Sequence, residues 1–231
     1  MSILTENTQT SIKTLSWTLF KERFFEDWEQ GEHVSIIGPT GQGKTTLSLE
    51  LLRRRDHVVA FATKPEDEQL KGLGWKRIKE WPPPPLLHKV LLWPRMREFE
   101  DVSTQKKVFK EALARIFTTG GWAVYFDETW YFTNVLKLGP LLELFWVQGR
   151  SLNISVIAGT QRPAYVPLLM YDQATHLFFF RDNDESNLRR ISGIGWLNRS
   201  EIMKEVASLP RHHFLYINSR TGERIISKVE L

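Results

Sequence analysis

The run Gly38-Pro39-Thr40-Gly41-Gln42-Gly43-Lys44-Thr45, followed by Thr46, matches the pattern G-x-x-x-x-G-K-[ST] throughout. A loop of this kind does one sort of chemistry. Its glycines let backbone N–H groups converge on phosphate oxygens, and a helix starting at its end adds a favourable dipole. Lys44 is suited to reach the β- and γ-phosphates, and the Thr45 hydroxyl is suited to Mg2+. The flanks agree: Val34–Ile37 is a short β-branched run that reads as a strand, and Lys44–Arg55 has helical character. Residues Gly38 to Thr46 are therefore expected to bind ATP with Mg2+.

Such a site needs an acidic group at the end of a neighbouring strand. The apolar run 122–126 ends in Asp127-Glu128. Asp127 is placed to support the metal shell through water, and Glu128 to orient and deprotonate an attacking water. A dedicated water-activating carboxylate favours hydrolysis over phosphoryl transfer to a small metabolite. A third strand, 154–158, is preceded by Gly149-Arg150 and ends in Gly159-Thr160-Gln161-Arg162-Pro163. A polar side chain at that strand end can touch the γ-phosphate or the attacking water, and Gln161 fits the task.

Further apolar strands are expected at 58–62, 89–93 and 176–181, separated by helical segments that include one running from Leu19 to about residue 29, 105–118 and 185–192. Gly120-Gly121 is expected to end the helix 105–118. The four prolines Pro82–Pro85 read as a stiff connector. Strands alternating with helices imply an α/β fold with a mainly parallel central sheet covered on both faces. Phe214–Asn218 and Arg224–Lys228, around Ser219–Gly222, read as a C-terminal β-hairpin. Residues 1–15 are polar and aperiodic and are expected to be a flexible arm, with 16–231 as one domain.

Composition removes some chemistry and permits other. The 231 residues contain no Cys, which excludes disulfides, thiolate catalysis and Cys-type zinc sites. Lys+Arg of 31 against Asp+Glu of 27 gives a net charge of +4, which allows a polyanionic partner without demonstrating one. Nine Trp and 14 Phe make aromatic packing or stacking surfaces available. With no secretory signal and no apolar run of membrane-spanning length, the chain reads as soluble and cytoplasmic. Asp182-Asn183-Asp184 reads better as a cap on the helix 185–192 than as metal ligands. His212-His213 has no third ligand at metal spacing. The basic groups Arg53-Arg54-Arg55, Lys106-Lys107 and Arg189-Arg190 read as solvated helix faces, any of which could contact DNA phosphates.

Taken together, the loop 38–45, the Asp127-Glu128 pair and GRSLNISVIAGTQRP (149–163) resemble the FtsK–HerA superfamily of P-loop motor ATPases. The resemblance covers roughly 34–192 and includes RDNDESNLRRISG (181–193). The Thr-Gln-Arg-Pro element is its most specific part. It implies a RecA-like core of the ASCE class, in which the strand carrying the glutamine lies between those carrying the first two motifs. It also implies a homo-oligomeric ring, pentameric or hexameric, whose sites are completed by neighbours. By resemblance Lys44 and Thr45 bind phosphate and Mg2+, Asp127 supports the metal, Glu128 is the catalytic base and Gln161 the sensor. Arg150 matches the finger that reaches an adjacent subunit's γ-phosphate, with an exposed surface arginine as the plainer reading and Arg162 as a second candidate. Thr63-Lys64-Pro65-Glu66 echoes the family's Asp-x-Lys element but lacks the aspartate. The implied activity is Mg-dependent ATP hydrolysis that translocates double-stranded DNA. Length points to the small viral genome-packaging ATPases, which act on a capsid portal or vertex from the host cytoplasm. Two other readings stand: a P-loop kinase of a small metabolite or nucleotide, and an ATP-gated assembly switch that does not move DNA.

Overall fold

The apolar runs Val34–Ile37, Val58–Phe61 and Ala123–Phe126 are buried at every position. Strands of that kind need a covering layer on each face. The computed structural model describes residues 12–96, 98, 101–192 and 199–230, and it supplies both layers. In chain order the elements are β1 (Lys13–Thr14), α1 (Trp17–Asp27), β2 (Val34–Ile37), α2 (Lys44–Arg54), β3 (Val58–Phe61) and α3 (Glu68–Lys71). Then come β4 (Lys76–Ile78), β5 (Lys89–Leu92), α4 (Asp101–Thr119), β6 (Ala123–Phe126), α5 (Gly139–Gln148) and β7 (Ser155–Thr160). The chain ends with α6 (Leu169–Asp172), β8 (His176–Phe180), α7 (Glu185–Ser192), α8 (Arg199–Ser208), β9 (His213–Asn218) and β10 (Arg224–Lys228). A π-helical turn, Tyr131–Val135, and 3-10 turns at Gly149–Leu152 and Pro163–Tyr165 lie between them.

The strands form one ten-stranded sheet in the order β1-β10-β9-β8-β2-β7-β6-β3-β5-β4. From β8 across to β4 every pairing is parallel. The expected C-terminal hairpin is present, with β9 antiparallel to both β8 and β10. β7 lies between β2 and β6, as the resemblance implies. Parallel strands bring their C-terminal ends to one edge, so the segments after β2, β6 and β7 meet there.

Alternation along each strand splits the core in two. Helices α1 and α2 pack on the face carrying Val34, Ile36, Tyr125 and Phe178. Helices α4 to α8 cover the other, which carries Val59, Phe61, Phe126, Val156 and Phe179. The aromatic surplus goes largely into this packing. On α1, capped by the Ser16 hydroxyl, Trp17, Phe20 and Phe24 form one buried stripe that Trp28 continues. The Phe20 ring meets Phe214, Tyr216 and Phe178 edge-on at 5.0, 5.3 and 5.9 Å. Each such ring contributes about 1.5–3 kcal/mol by burial alone. Leu19 falls off the stripe and stays 55% exposed.

Several local expectations shift. Helix α4 begins at Asp101, four residues before the expected start at 105, because its first turn, Asp-Val-Ser-Thr, has one apolar residue and gives no periodic signal. Lys13–Thr14 pairs with Ile225 and Ile226, so the sheet claims the end of the segment expected to be an arm; residues 1–11 lie outside the described residues. Pro82–Pro85 lies between β4 and β5, outside any helix. Among the described residues no helix is long and apolar enough to cross a membrane.

One contact sets how closely β6 and β7 can run. A Cβ built on Gly159 of β7 would lie 2.5 Å from the Asp127 carbonyl oxygen. Gly159→Ala must therefore push the strand ends apart. Overpacking of this kind costs about 1–3 kcal/mol. Thermal unfolding should show a melting temperature lower by roughly 2–4 °C per kcal/mol. Unchanged melting would mean that the two strand ends do not approach this closely.

Candidate active site

The loop between β2 and α2 turns through Gly41 and Gly43, whose φ angles of +78° and +105° suit glycine far better than a residue with a side chain. Thr40, Gly41, Gly43, Lys44, Thr45 and Thr46 line a cavity of about 290 Å3. The remaining loop residues brace it from behind. Gly38 lies against Phe180, the Pro39 carbonyl accepts a 2.8 Å hydrogen bond from Lys44 Nζ, and the Gln42 carbonyl meets His212 Nδ1 at 3.2 Å. Lys44 is 8% exposed. Burial pulls its ammonium down to about 8, against the attraction of Asp127 and Glu128.

Asp127 and Glu128 follow β6 and diverge. Asp127 Oδ1 accepts from the Tyr125 hydroxyl at 2.8 Å and from Thr45 Oγ1 at 3.4 Å, and Oδ2 is paired with Lys64 Nζ at 2.8 Å. A carboxylate and a hydroxyl this close make a hard-oxygen donor pair that fits Mg2+, which keeps waters and substrate phosphates as its other ligands. Glu128 turns toward β7. Its Oε1 accepts from Thr160 Oγ1 at 3.1 Å and from the Trp130 N–H at 3.3 Å, and its Oε2 accepts from the Gln161 N–H at 3.0 Å. Burial raises the Glu128 pKa, and these hydrogen bonds oppose the rise.

Gln161 also lines the cavity, where Thr40 Oγ1 donates to its side-chain oxygen at 2.6 Å. It thereby touches the phosphate loop with its side chain and Glu128 with its backbone. Arg162 is exposed beside it. Arg150 lies elsewhere: it is exposed on the turn before β7, at the opposite end of that strand from Gln161. No arginine is among the described residues lining the cavity.

Three residues enter that motif reading left out or underweighted. Lys64 lines the cavity and holds Asp127. Burial works against its charge, but the Asp127 carboxylate more than offsets this and raises its pKa. Tyr125 lies two residues before Asp127 on the same strand face, and burial keeps its hydroxyl protonated as a donor. His212 reaches the loop from before β9. Asp184 caps α7 by accepting from the Asn187 N–H at 2.9 Å, as its residue type implies, while Asp182 accepts from the Asn187 side chain. Arg53 pairs with Glu50, Arg54 lies over Phe25, and Arg55 donates to the Trp28 and Glu29 carbonyls, so that basic run is held by its own domain.

The Lys44 environment gives a pH dependence with a definite sign. Its charged form attracts phosphate, and that form is lost as pH rises through about 8. Calorimetric titration should show ATP affinity falling above that point, by up to about tenfold per unit. Affinity that stays flat well beyond it would contradict the burial of this ammonium.

No family model matches the sequence, and no curated protein matches it. Solved structures do match by fold. The genome packaging NTPase B204 from Sulfolobus turreted icosahedral virus 2, in complex with AMP, superposes with a TM-score of 0.68 at 18% identity, over 88% of this chain and 100% of that one. VirB4 of Thermoanaerobacter pseudethanolicus gives 0.62 at 12% identity, over 86% and 89%. The cytoplasmic domain of the Thermomonospora curvata type VII secretion ATPase EccC gives 0.57 at 14% identity, over 87% of this chain and 25% of that one. The chain shares the α/β fold of these structural neighbours, a mainly parallel sheet flanked by helices with an antiparallel C-terminal strand pair.

Proposed function

We propose that this protein is an ATP-hydrolysing motor that moves double-stranded DNA, works as a homo-oligomeric ring and packages a viral genome. One observation carries the reading. Lys44, Thr45, Asp127 and Gln161 are brought from three strand ends to a single cavity, with Glu128 hydrogen-bonded to Thr160 and Gln161 beside it, on a fold shared with a genome packaging NTPase.

In this reading the triphosphate of ATP lies along the loop 38–46, with Lys44 at its terminal phosphates. Thr45 and Asp127 would hold Mg2+, which when bound neutralises charge on the phosphoryl oxygens. Tyr125 and Lys64 keep the Asp127 carboxylate oriented. Glu128 accepts a proton from the attacking water, and the donors on Thr160 and Gln161 fix the direction of its free lone pairs. Gln161 reports the state of the loop through Thr40. Among the described residues the cavity holds no arginine, and Arg150 is exposed at the far end of β7. That geometry suits an arginine delivered to a neighbouring subunit, where its planar fork matches phosphate oxygens. Arg162, exposed beside the cavity, is the second candidate for that finger.

Glu128→Gln should lower kcat by about 10²–10⁴-fold while ATP still binds. Lys44→Ala should abolish tight ATP binding, and linear duplex DNA should raise the wild-type rate. An oligomer whose ATP hydrolysis ignores every DNA offered would remove the motor reading and leave an ATP-gated switch. Mixing inactive Arg150→Ala subunits with inactive Glu128→Gln subunits should restore part of the activity, and complete failure to complement would count against Arg150 as the finger.

A further inference from the structure

Beyond β6 and β3 the same edge of the sheet continues to β5 and β4, where a second cavity of about 370 Å3 opens. Its walls come from the segments around the ends of β3, β4 and β5, and its charge is lopsided. Among the described residues, Arg77, Lys79 and Arg95 line it against one carboxylate, Glu66, which Lys71 engages. Arg95 is anchored by Glu98 at 2.9 Å and by Asp101 at 3.8 Å. Arg77 and Lys79 are exposed, and neither has a carboxylate partner among the described residues.

Lysine and arginine on an edge strand can simply repel unwanted strand pairing. That role does not require the arrangement found around Arg77. Its guanidinium lies 3.9 Å from the centre of the Trp93 ring, which fixes it along the cavity wall. Trp93 is only 5% exposed, and its indole N–H donates to the Lys64 carbonyl at 2.9 Å. Lys64 Nζ is in turn 2.8 Å from Asp127 Oδ2. A continuous line of contacts thus runs from the basic cleft to the carboxylate at the ATP site.

We propose that this cleft grips phosphate groups of a DNA backbone and that its occupancy is felt at Asp127 through Trp93 and Lys64. The proposal rests on the motor reading above and names where that motor meets its track. Backbone phosphates are the matching chemistry because Trp93 is buried and covered by Arg77, which leaves no ring face for a base to stack on. The cations also come from the ends of two strands along an open wall, which suits successive phosphates better than one enclosed anion.

The test compares wild type with Arg77→Glu combined with Lys79→Glu, two exposed positions, after thermal melting has shown that the variant folds. DNA binding is measured over a range of salt, and ATP hydrolysis with and without linear duplex DNA. The double variant should bind DNA at least tenfold more weakly. Its salt slope should be shallower by about two, one for each cation that no longer meets a phosphate. Its ratio of DNA-stimulated to DNA-free rate should fall toward one. A wild type that responds to DNA, with a double variant that responds equally, overturns the cleft and leaves the motor reading intact. A wild type that neither binds DNA nor responds to it overturns both. Millimolar inorganic phosphate in place of DNA should affect the two proteins alike; a response found only in wild type would mark a small-anion site and overturn the DNA assignment. Trp93→Phe, which removes the indole donor but keeps an aromatic ring beneath Arg77, should bind DNA nearly as wild type does but respond to it less. Full stimulation in that variant would overturn the coupling through Lys64.

Discussion

The site depends on how closely the ends of β6 and β7 approach. Glycine at 159 lets the backbone of β7 pass against the Asp127 carbonyl, and this puts Thr160 and Gln161 within hydrogen-bonding reach of Glu128. A buried carboxylate left to itself would favour the protonated form, which cannot take a proton from water. The donors from β7 counter that tendency and fix the group's direction as well. One contact between strand ends therefore orients the proposed base and joins it to the residue that touches the phosphate loop.

Electrostatics at the cavity is balanced rather than optimised for stability. Lys44 and Lys64 share a small cavity with Asp127, and Glu128 adds its attraction to Lys44 from beside it. Lys64 has a partner at close range, whereas Lys44 donates only to a neutral carbonyl of its own loop. Its pKa drops from 10.5 to about 8 on folding, so the unfolded chain holds the proton more firmly than the folded one between those values. Stability contributed by this group therefore rises with pH across that window and is lowest at neutrality. The cost there is on the order of 3 kcal/mol. A bound triphosphate would offset it, which is a common pattern at sites shaped for a ligand.

Much of this was legible in the sequence wherever the signal was local. The loop 38–45 names its own contacts, Asp127-Glu128 sits where an apolar run stops, and Gln161 does the same one strand later. The hairpin and the capping role of Asp184 follow from turn and cap chemistry. Lys64 was harder to see, because its importance comes from β3 lying beside β6, and strand order is not written in spacing. His212 is brought to Gln42 by a hairpin more than a hundred residues away. Tyr125 was hidden in plain view: its hydroxyl lies on the same strand face as Asp127, but it reads as one more aromatic residue of a buried strand. β1 and β4 were missed because two or three residues carry no period.

β7 has a residue of interest at each end. Ser155–Thr160 spans roughly 20 Å at about 3.3 Å per residue, leads into Gln161, and follows directly on the turn that carries Arg150. It is held on both sides by parallel neighbours, so it should move as a rod rather than bend. In an assembly where Arg150 serves the next subunit, that rod would pass news of the local nucleotide outward along its own axis. News from the other neighbour would arrive at the opposite end. The two ends of a single strand would then serve two different neighbours.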